Sequence, residues 1–336
     1  MLALHVGTYA KNGGRGLVPV MVADDGGMTA GEPFAGAANA SFGAHGHGLV
    51  YLVDEREEGA VTVLRPTGEG GWAPIARVPT QGAAPCYLSL DRDCTRLAVA
   101  NYGSGSVALY ALDSTGRPAA PPAVFQSRGS GPVADRQDGP HAHCVRFTPG
   151  GEGLYLVDLG ADRVECLKLG KGALFIDAAT AWRAPPGTGP RHLLLHPQRR
   201  LALVLSELAS TLTLLAQRDG RFAPVQALST LPADFAGESL GGHLELSADG
   251  KRVYVSNRGH DSIAVFALDD GRLEPIQHIP SGGAHPRHFA LLEDSHLLAC
   301  AHEEDGRITL FDVGADGTLA AKGAGITVPG ACFILA

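Results

Sequence analysis

The feature that most constrains what this chain can fold into is a repeat. Short aliphatic runs end again and again in a small polar residue: Gly7-Thr8, Val53-Asp54, Ala100-Asn101, Val157-Asp158, Leu205-Ser206, Ser256-Asn257 and, as the weakest match, Cys300-Ala301. Counted on the second residue of each pair, the intervals are 46, 47, 57, 48, 51 and 44 residues. Seven units of this size, with short strands and connections rich in Gly and Pro, are what four-stranded propeller blades require.

The unit around Asn257 shows the internal order. His243-Leu244-Glu245-Leu246 is followed by the turn Ala248-Asp249-Gly250, then by Val253-Tyr254-Val255 and Ile263-Ala264-Val265-Phe266. Apolar or alternating runs separated by turn residues read as strands, here A, B and C from inside to outside. Ile276-Gln277-His278-Ile279 supplies an outer strand D. The unit around Asn101 repeats the scheme with Tyr87-Leu88-Ser89-Leu90, Leu97-Ala98-Val99-Ala100 and Val107-Ala108-Leu109-Tyr110. At the ends, Pro329-Gly330-Ala331-Cys332-Phe333-Ile334-Leu335 resembles a strand A, whereas the N-terminal run begins at a strand B. The expected fold is therefore all-β: a seven-bladed β-propeller with four antiparallel strands per blade. N- and C-terminal strands close the last blade, and residues 1–336 form a single domain.

Composition limits the partners. Apolar residues make up 45% of the chain and charged ones 18%, enough for a large core and too apolar for a disordered segment. A formal charge of −8 without a Lys/Arg block argues against nucleic acid and anionic lipid. No apolar run approaches the length of a membrane span. The N-terminal run Leu2-Ala3-Leu4-His5-Val6 lacks a basic segment or cleavage site, and the six cysteines are scattered without CxxC spacing. Reduced thiols in a cytoplasmic protein are the expectation, with no nucleic-acid, membrane or obligate protein partner.

In an antiparallel blade, strand A opens on the face where strand B closes. Residues at those positions should share one mouth of the central channel. The openings carry His141-Ala142-His143, Arg191-His192, Gly242-His243 and Pro286-Arg287-His288, and the closings carry Glu55, Tyr102, Glu207, Arg258 and His302. Any one His or Arg beside Pro or Gly serves equally well to bind a neighbouring carbonyl. Convergence of Arg, His and Glu from distant segments goes beyond what packing asks. His141 and His143, two apart on a strand, would suit zinc, but no further ligand is identifiable by spacing, so neither metal nor cofactor is expected. The Gly-rich Ser127-Arg128-Gly129-Ser130-Gly131 lacks the Lys-Ser/Thr of a phosphate loop and reads as a surface connection.

Six stretches carry a resemblance: Val6-Gly7-Thr8-Tyr9, Ala100-Asn101-Tyr102-Gly103, Pro140-His141-Ala142-His143, Gly189-Pro190-Arg191-His192, Ser206-Glu207-Leu208 and Ser256-Asn257-Arg258-Gly259-His260-Asp261-Ser262. In this order, across nearly the whole chain, they resemble the seven-bladed lactonases typified by bacterial 6-phosphogluconolactonase and fungal carboxy-muconate cyclase. The resemblance implies a catalytic set of His143, Arg191, Glu207 and Arg258. Around it, His141, His192, His243, Arg287, His288 and Tyr102 are the expected substrate-binding residues. Two departures touch substrate detail. Ala301-His302-Glu303 replaces the usual Asn or Gln pattern, and Gly43-Ala44-His45-Gly46-His47 stands where an ordinary strand and Asp-Gly turn are expected.

Lactone hydrolysis needs an activated water, a donor for the oxyanion and a proton source for the leaving ring oxygen. Glu207 is the expected base and His143 the acid, while Arg191 and Arg258 offer fixed positive forks to a small anionic lactone. Arg287 and His288 would widen that anion site. The same groups suit a cycloisomerase acting on a muconate-type diacid, the nearest competing enzyme. A non-enzymatic binding platform would be expected to centre on aromatic anchors, and this mouth offers only Tyr9 and Tyr102.

Overall fold

The computed structural model describes residues 2–68, 70–170 and 175–336. They form seven four-stranded antiparallel sheets, and the only helices among the described residues are the single turns Ala10–Asn12 and Glu293–Ser295. Among the described residues no helix is long and apolar enough to cross a membrane. The chain condenses into two compact units. One comprises Met1–Ala38, Leu194–Gln217 and Ala223–Ala336, and a middle unit comprises Asn39–Leu193 with Arg218–Phe222.

Burial explains the order of strands within a sheet. Strand B is covered on both faces, as in Leu49–Asp54 and Gly153–Asp158, every residue of which is buried. These strands therefore read as continuous aliphatic runs rather than as alternation. Strand D is largely exposed, as in Arg272–Pro280. Pro74, Pro224 and Pro275 interrupt three of these edge strands, which removes backbone donors that would otherwise invite another chain. Apolar side chains of neighbouring sheets interlock, with Val53, Val61 and Val63 packed with Leu88, Leu97 and Val99 in the middle unit. Each such side chain contributes roughly 1.5–3 kcal/mol when fully buried. Tyr51 and Tyr254 bury their rings while their hydroxyls donate to the Gly116 and Gly317 carbonyls at 2.6 and 2.9 Å.

The small polar residue that marks the repeat is a buried clamp. Thr8, Asp54, Asn101, Asp158, Ser206 and Asn257 are each no more than 2% exposed. Asn257 Nδ2 donates to Ser262 Oγ at 3.1 Å and to the Thr230 carbonyl at 2.8 Å, tying the end of strand B to the start of strand C and to an incoming connection. Asn101 does the same to Ser106 Oγ at 3.1 Å, and Asp158 accepts from Ser127 Oγ at 2.5 Å. Six of the sheets thus carry a buried polar residue at or next to the end of strand B.

The ends meet as expected: Ala331–Leu335 pairs with Leu2–Thr8, setting Ile334 opposite Val6 and Phe333 opposite Gly7, in a sheet ordered A, B, C, D. The segment Gly43–Gly46 is an ordinary strand after all, paired with Leu49–Asp54. His47 (φ 53°) and Gly48 (φ 67°) both take the left-handed conformation of a tight hairpin turn, so a His-Gly pair does the work of Asp-Gly.

Candidate active site

The openings of strand A in five of the sheets share one irregularity. Pro85 faces Asn101 but Tyr87 faces Ala100; Ala142 faces Asp158 but Cys144 faces Val157; Pro286 faces His302 but His288 faces Ala301; Ala331 faces Thr8 but Phe333 faces Gly7. One extra residue is inserted at each place, namely Cys86, His143, Arg287 and Cys332. In a fifth sheet Gly241 faces Asn257 and Leu244 faces Val255, so Gly242 and His243 share the step. Gly242 is required there, because a Cβ would lie 2.5 Å from Ser256 Oγ and 2.6 Å from the Pro286 carbonyl. A bulge re-aims its extra side chain away from the regular alternation. Arg191 follows Pro190 as Arg287 follows Pro286, and by that pattern takes the same place.

In the middle unit these residues meet. Arg191 Nη1 donates to His143 Nε2, and both side chains are buried. A guanidinium has no acceptor, so Nε2 must offer its lone pair, and the proton of the neutral ring sits on Nδ1. That nitrogen faces Cys86 Sγ at 3.7 Å. The His143 ring stands edge-on to Tyr102, with centroids 5.4 Å apart, and Tyr102 stacks on His141 at 4.5 Å. His141 Nδ1 lies 3.0 Å from the Tyr102 carbonyl, so the bulge has sent the two imidazoles to different partners. Among the described residues no three His, Cys, Asp or Glu side chains are grouped as metal ligands.

In the other unit, Glu207 follows the strand Leu201–Ser206 and Arg258 ends Arg252–Arg258. Arg258 Nη2 lies 2.8 Å from Glu207 Oε2 and donates to the Gly241 carbonyl at 2.8 Å. Their side chains are only 5% and 3% exposed, so this is a buried ion pair. The Glu207 carbonyl in turn accepts from Gly241 N–H at 2.9 Å, which ties the loop bearing the carboxylate to the strand beneath the guanidinium.

A protein-family model described as "Lactonase, 7-bladed beta-propeller" matches residues 3–336. The chain belongs to this lactonase family. It is 31% identical over 318 residues to a 6-phosphogluconolactonase of Bacillus subtilis, covering 92% of this chain and 90% of the relative. The structure of a periplasmic gluconolactonase from Pseudomonas aeruginosa superposes with a TM-score of 0.90 at 27% identity, over 99% of this chain and 98% of that one. A protein from Lactobacillus plantarum superposes equally well, with a TM-score of 0.90 at 27% identity, over 99% of this chain and 98% of that one. The fold of this lactonase-family chain is thus the seven-bladed β-propeller.

Three of the histidines expected to bind substrate make ring contacts with aromatic side chains or with one another. His288 lies one residue beyond the bulge position, where other sheets have Tyr87 and Phe333. The His192 ring meets Tyr87 at 5.3 Å and Phe42 at 6.5 Å. In the other unit His243 and His288 lie 4.0 Å apart, and His288 meets the Phe333 edge at 4.6 Å. His288 Nδ1 also accepts from Ile334 N–H at 3.4 Å.

The sixth strand-B ending needs a correction. His302, not Ala301, is the polar clamp of that blade: it is fully buried, and its Nδ1 donates to the Arg307 carbonyl at 3.0 Å. Burial pushes its imidazole below the ordinary histidine value, keeping it neutral. His302 is accordingly not a rim residue, and the residue equivalent to Glu207 and Arg258 is Glu303. Counting to His302 changes the last interval from 44 to 45 residues, a signal present in the spacing but masked by a large ring in place of a small polar side chain.

Arg287, expected to widen an anion site, is paired with a carboxylate. Its Nη1 lies 3.2 Å from Glu303 Oε2, and Lys11 Nζ lies 3.3 Å from Oε1. Both cations also sit over the Tyr9 ring, 4.7 Å away for Lys11 and 5.1 Å for Arg287. Burial alone would raise the Glu303 carboxyl, but Arg287 and Lys11 more than offset it and hold it at about 2, well below its ordinary 4.5. A carboxylate lowered in the folded state stabilises fully above its unfolded value and loses that contribution as pH falls through its folded value. Acid should therefore weaken the protein by about 2–3 kcal/mol at this site between pH 4.5 and about 2, the lower figure allowing for the exposed Lys11. Urea titrations at stepped pH check this: Glu303→Gln should flatten the slope in that window, and an unaltered slope would remove the pairing from the account.

Proposed function

We propose that this chain hydrolyses a sugar-type lactone, of the class 6-phosphogluconolactone represents, using His143, Arg191, Glu207 and Arg258. The observation that carries the reading is the buried Glu207–Arg258 pair in a chain of the lactonase family. Burying two charges is costly even when they are paired, and a buried charged pair of this kind is a recognised mark of a functional site. Glu207 is the base that takes a proton from water, and Arg258 fixes the orientation of its carboxylate. Arg191 supplies donors to the oxyanion of the tetrahedral intermediate.

The role of His143 follows from its contact with Arg191. While Arg191 donates to Nε2, that nitrogen holds no proton. As charge develops on the lactone oxygen, Arg191 turns toward it and Nε2 becomes free to take up a proton from solvent and pass it to the departing ring oxygen, while Glu207 returns to solvent the proton it took from the attacking water. The C–O ring bond breaks, the water oxygen stays on the acyl carbon, and a hydroxy acid is released. Tyr102 and His141, stacked beside His143, would border the ring of the substrate.

The test is a panel of lactones that includes 6-phosphogluconolactone and its unphosphorylated parent, followed by acid release at constant pH. Hydrolysis of at least one sugar lactone is expected. Consumption of a muconate-type diacid with every lactone untouched would replace hydrolysis by cycloisomerisation.

A further inference from the structure

Glu303 occupies a telling position. It follows strand B of its sheet as Glu207 and Arg258 follow or end theirs, and its partner Arg287 is the bulged residue of strand A in the same sheet. It therefore lies at the end of its sheet that carries the proposed chemistry in neighbouring sheets. His285 links the two places, since its imidazole is held down by burial and then by the charge of Arg258, with Glu303 and Glu304 acting in the opposite sense.

The charges here cancel. Lys11 and Arg287 contribute two positive charges around Tyr9; Glu303 answers with a carboxylate between them, and Glu304 Oε1 adds another 3.2 Å from His285 Nδ1. In the same unit Arg258 is matched by Glu207. Two cations converging on one carboxylate form the arrangement that a phosphate group would otherwise complete, and here a side chain of the protein already completes it. The side chains of Arg287 and Glu303 remain 14% and 11% exposed, enough for a bound ligand to feel their charge.

We propose that Glu303 is a built-in counter-ion that sets the charge preference of the lactone site, so that the protein favours unphosphorylated sugar lactones over phosphorylated ones. The inference rests on the lactonase reading and adds the substrate class to it. Glu303 repels an incoming dianion and keeps Arg287 and Lys11 occupied. Neutral polyhydroxylated lactones meet no such penalty, and can exchange hydrogen bonds with the same groups.

The experiment compares kcat/KM for glucono-δ-lactone and for 6-phosphogluconolactone on the wild type and on Glu303→Gln. It is joined by calorimetric titration of both proteins with the two products, gluconate and 6-phosphogluconate. The wild type should prefer the unphosphorylated member of each pair. Glu303→Gln should shift the ratio toward the phosphorylated member by about tenfold, the scale of one partly screened charge contact. Wild-type preference for the phosphorylated lactone and product, or an unchanged ratio in a folded Glu303→Gln, overturns the proposal. If circular dichroism shows that variant unfolded, the wild-type ratios, together with those of Lys11→Met, decide. Lys11→Met should depress phosphorylated binding still further, and no change in the ratios there overturns the proposal. Absence of turnover on either lactone sinks the lactonase reading instead, and the product-binding ratios still judge Glu303.

Discussion

Glu207→Gln is expected to lower kcat for lactone hydrolysis about a thousandfold while leaving the protein folded, a loss within the range that a positioned general base supplies. The substitution separates chemistry from structure because an amide oxygen can still accept from Arg258, which now donates to Oε2 across 2.8 Å. Glu207→Ala should behave differently. It strands a buried guanidinium whose side chain is 5% exposed, and breaking such a pair costs about 3–5 kcal/mol. Gln should therefore lose catalysis with a smaller loss of stability than Ala, which leaves the guanidinium with neither counter-charge nor acceptor. Turnover by Glu207→Gln within a few-fold of wild type would end the assignment of the base, whatever the Ala variant did.

How much of this was legible before the structure depends on whether a feature is local. Strand B, buried on both faces, announces itself as an aliphatic run, and the small buried polar residue at its end recurs from sheet to sheet. The closing strand Ala331–Leu335 was readable for the same reason. The strand-end positions of Glu207 and Arg258 followed once the runs were placed. The bulges were not legible. Alternation puts His141 and His143 on one face, and only the pairing of Ala142 with Asp158 and Cys144 with Val157 shows that an extra residue intervenes. The carboxylate partner of Arg287 was hidden because Glu303 lies one residue beyond a clamp that a histidine disguises. Charge compensation is a tertiary property, and no spacing rule reports it.

Arg191→Ala should cost about a hundredfold or more in kcat, the usual consequence of deleting an oxyanion donor. Lysine should not restore the loss, since one ammonium cannot replace a planar fork that must serve His143 and the developing oxyanion in turn. Free guanidinium at sub-denaturing concentration should restore part of it by filling the vacated space. The pairing of Arg191 with His143 makes a sharper demand. If the guanidinium controls when Nε2 can take a proton, the two residues act as one device, and removing both should cost little more than removing the worse one alone. Losses that multiply in the double variant would mean that the hydrogen bond between them is incidental. Arg191 would then be a binding residue, and the proton delivered to the ring oxygen would have to come from elsewhere.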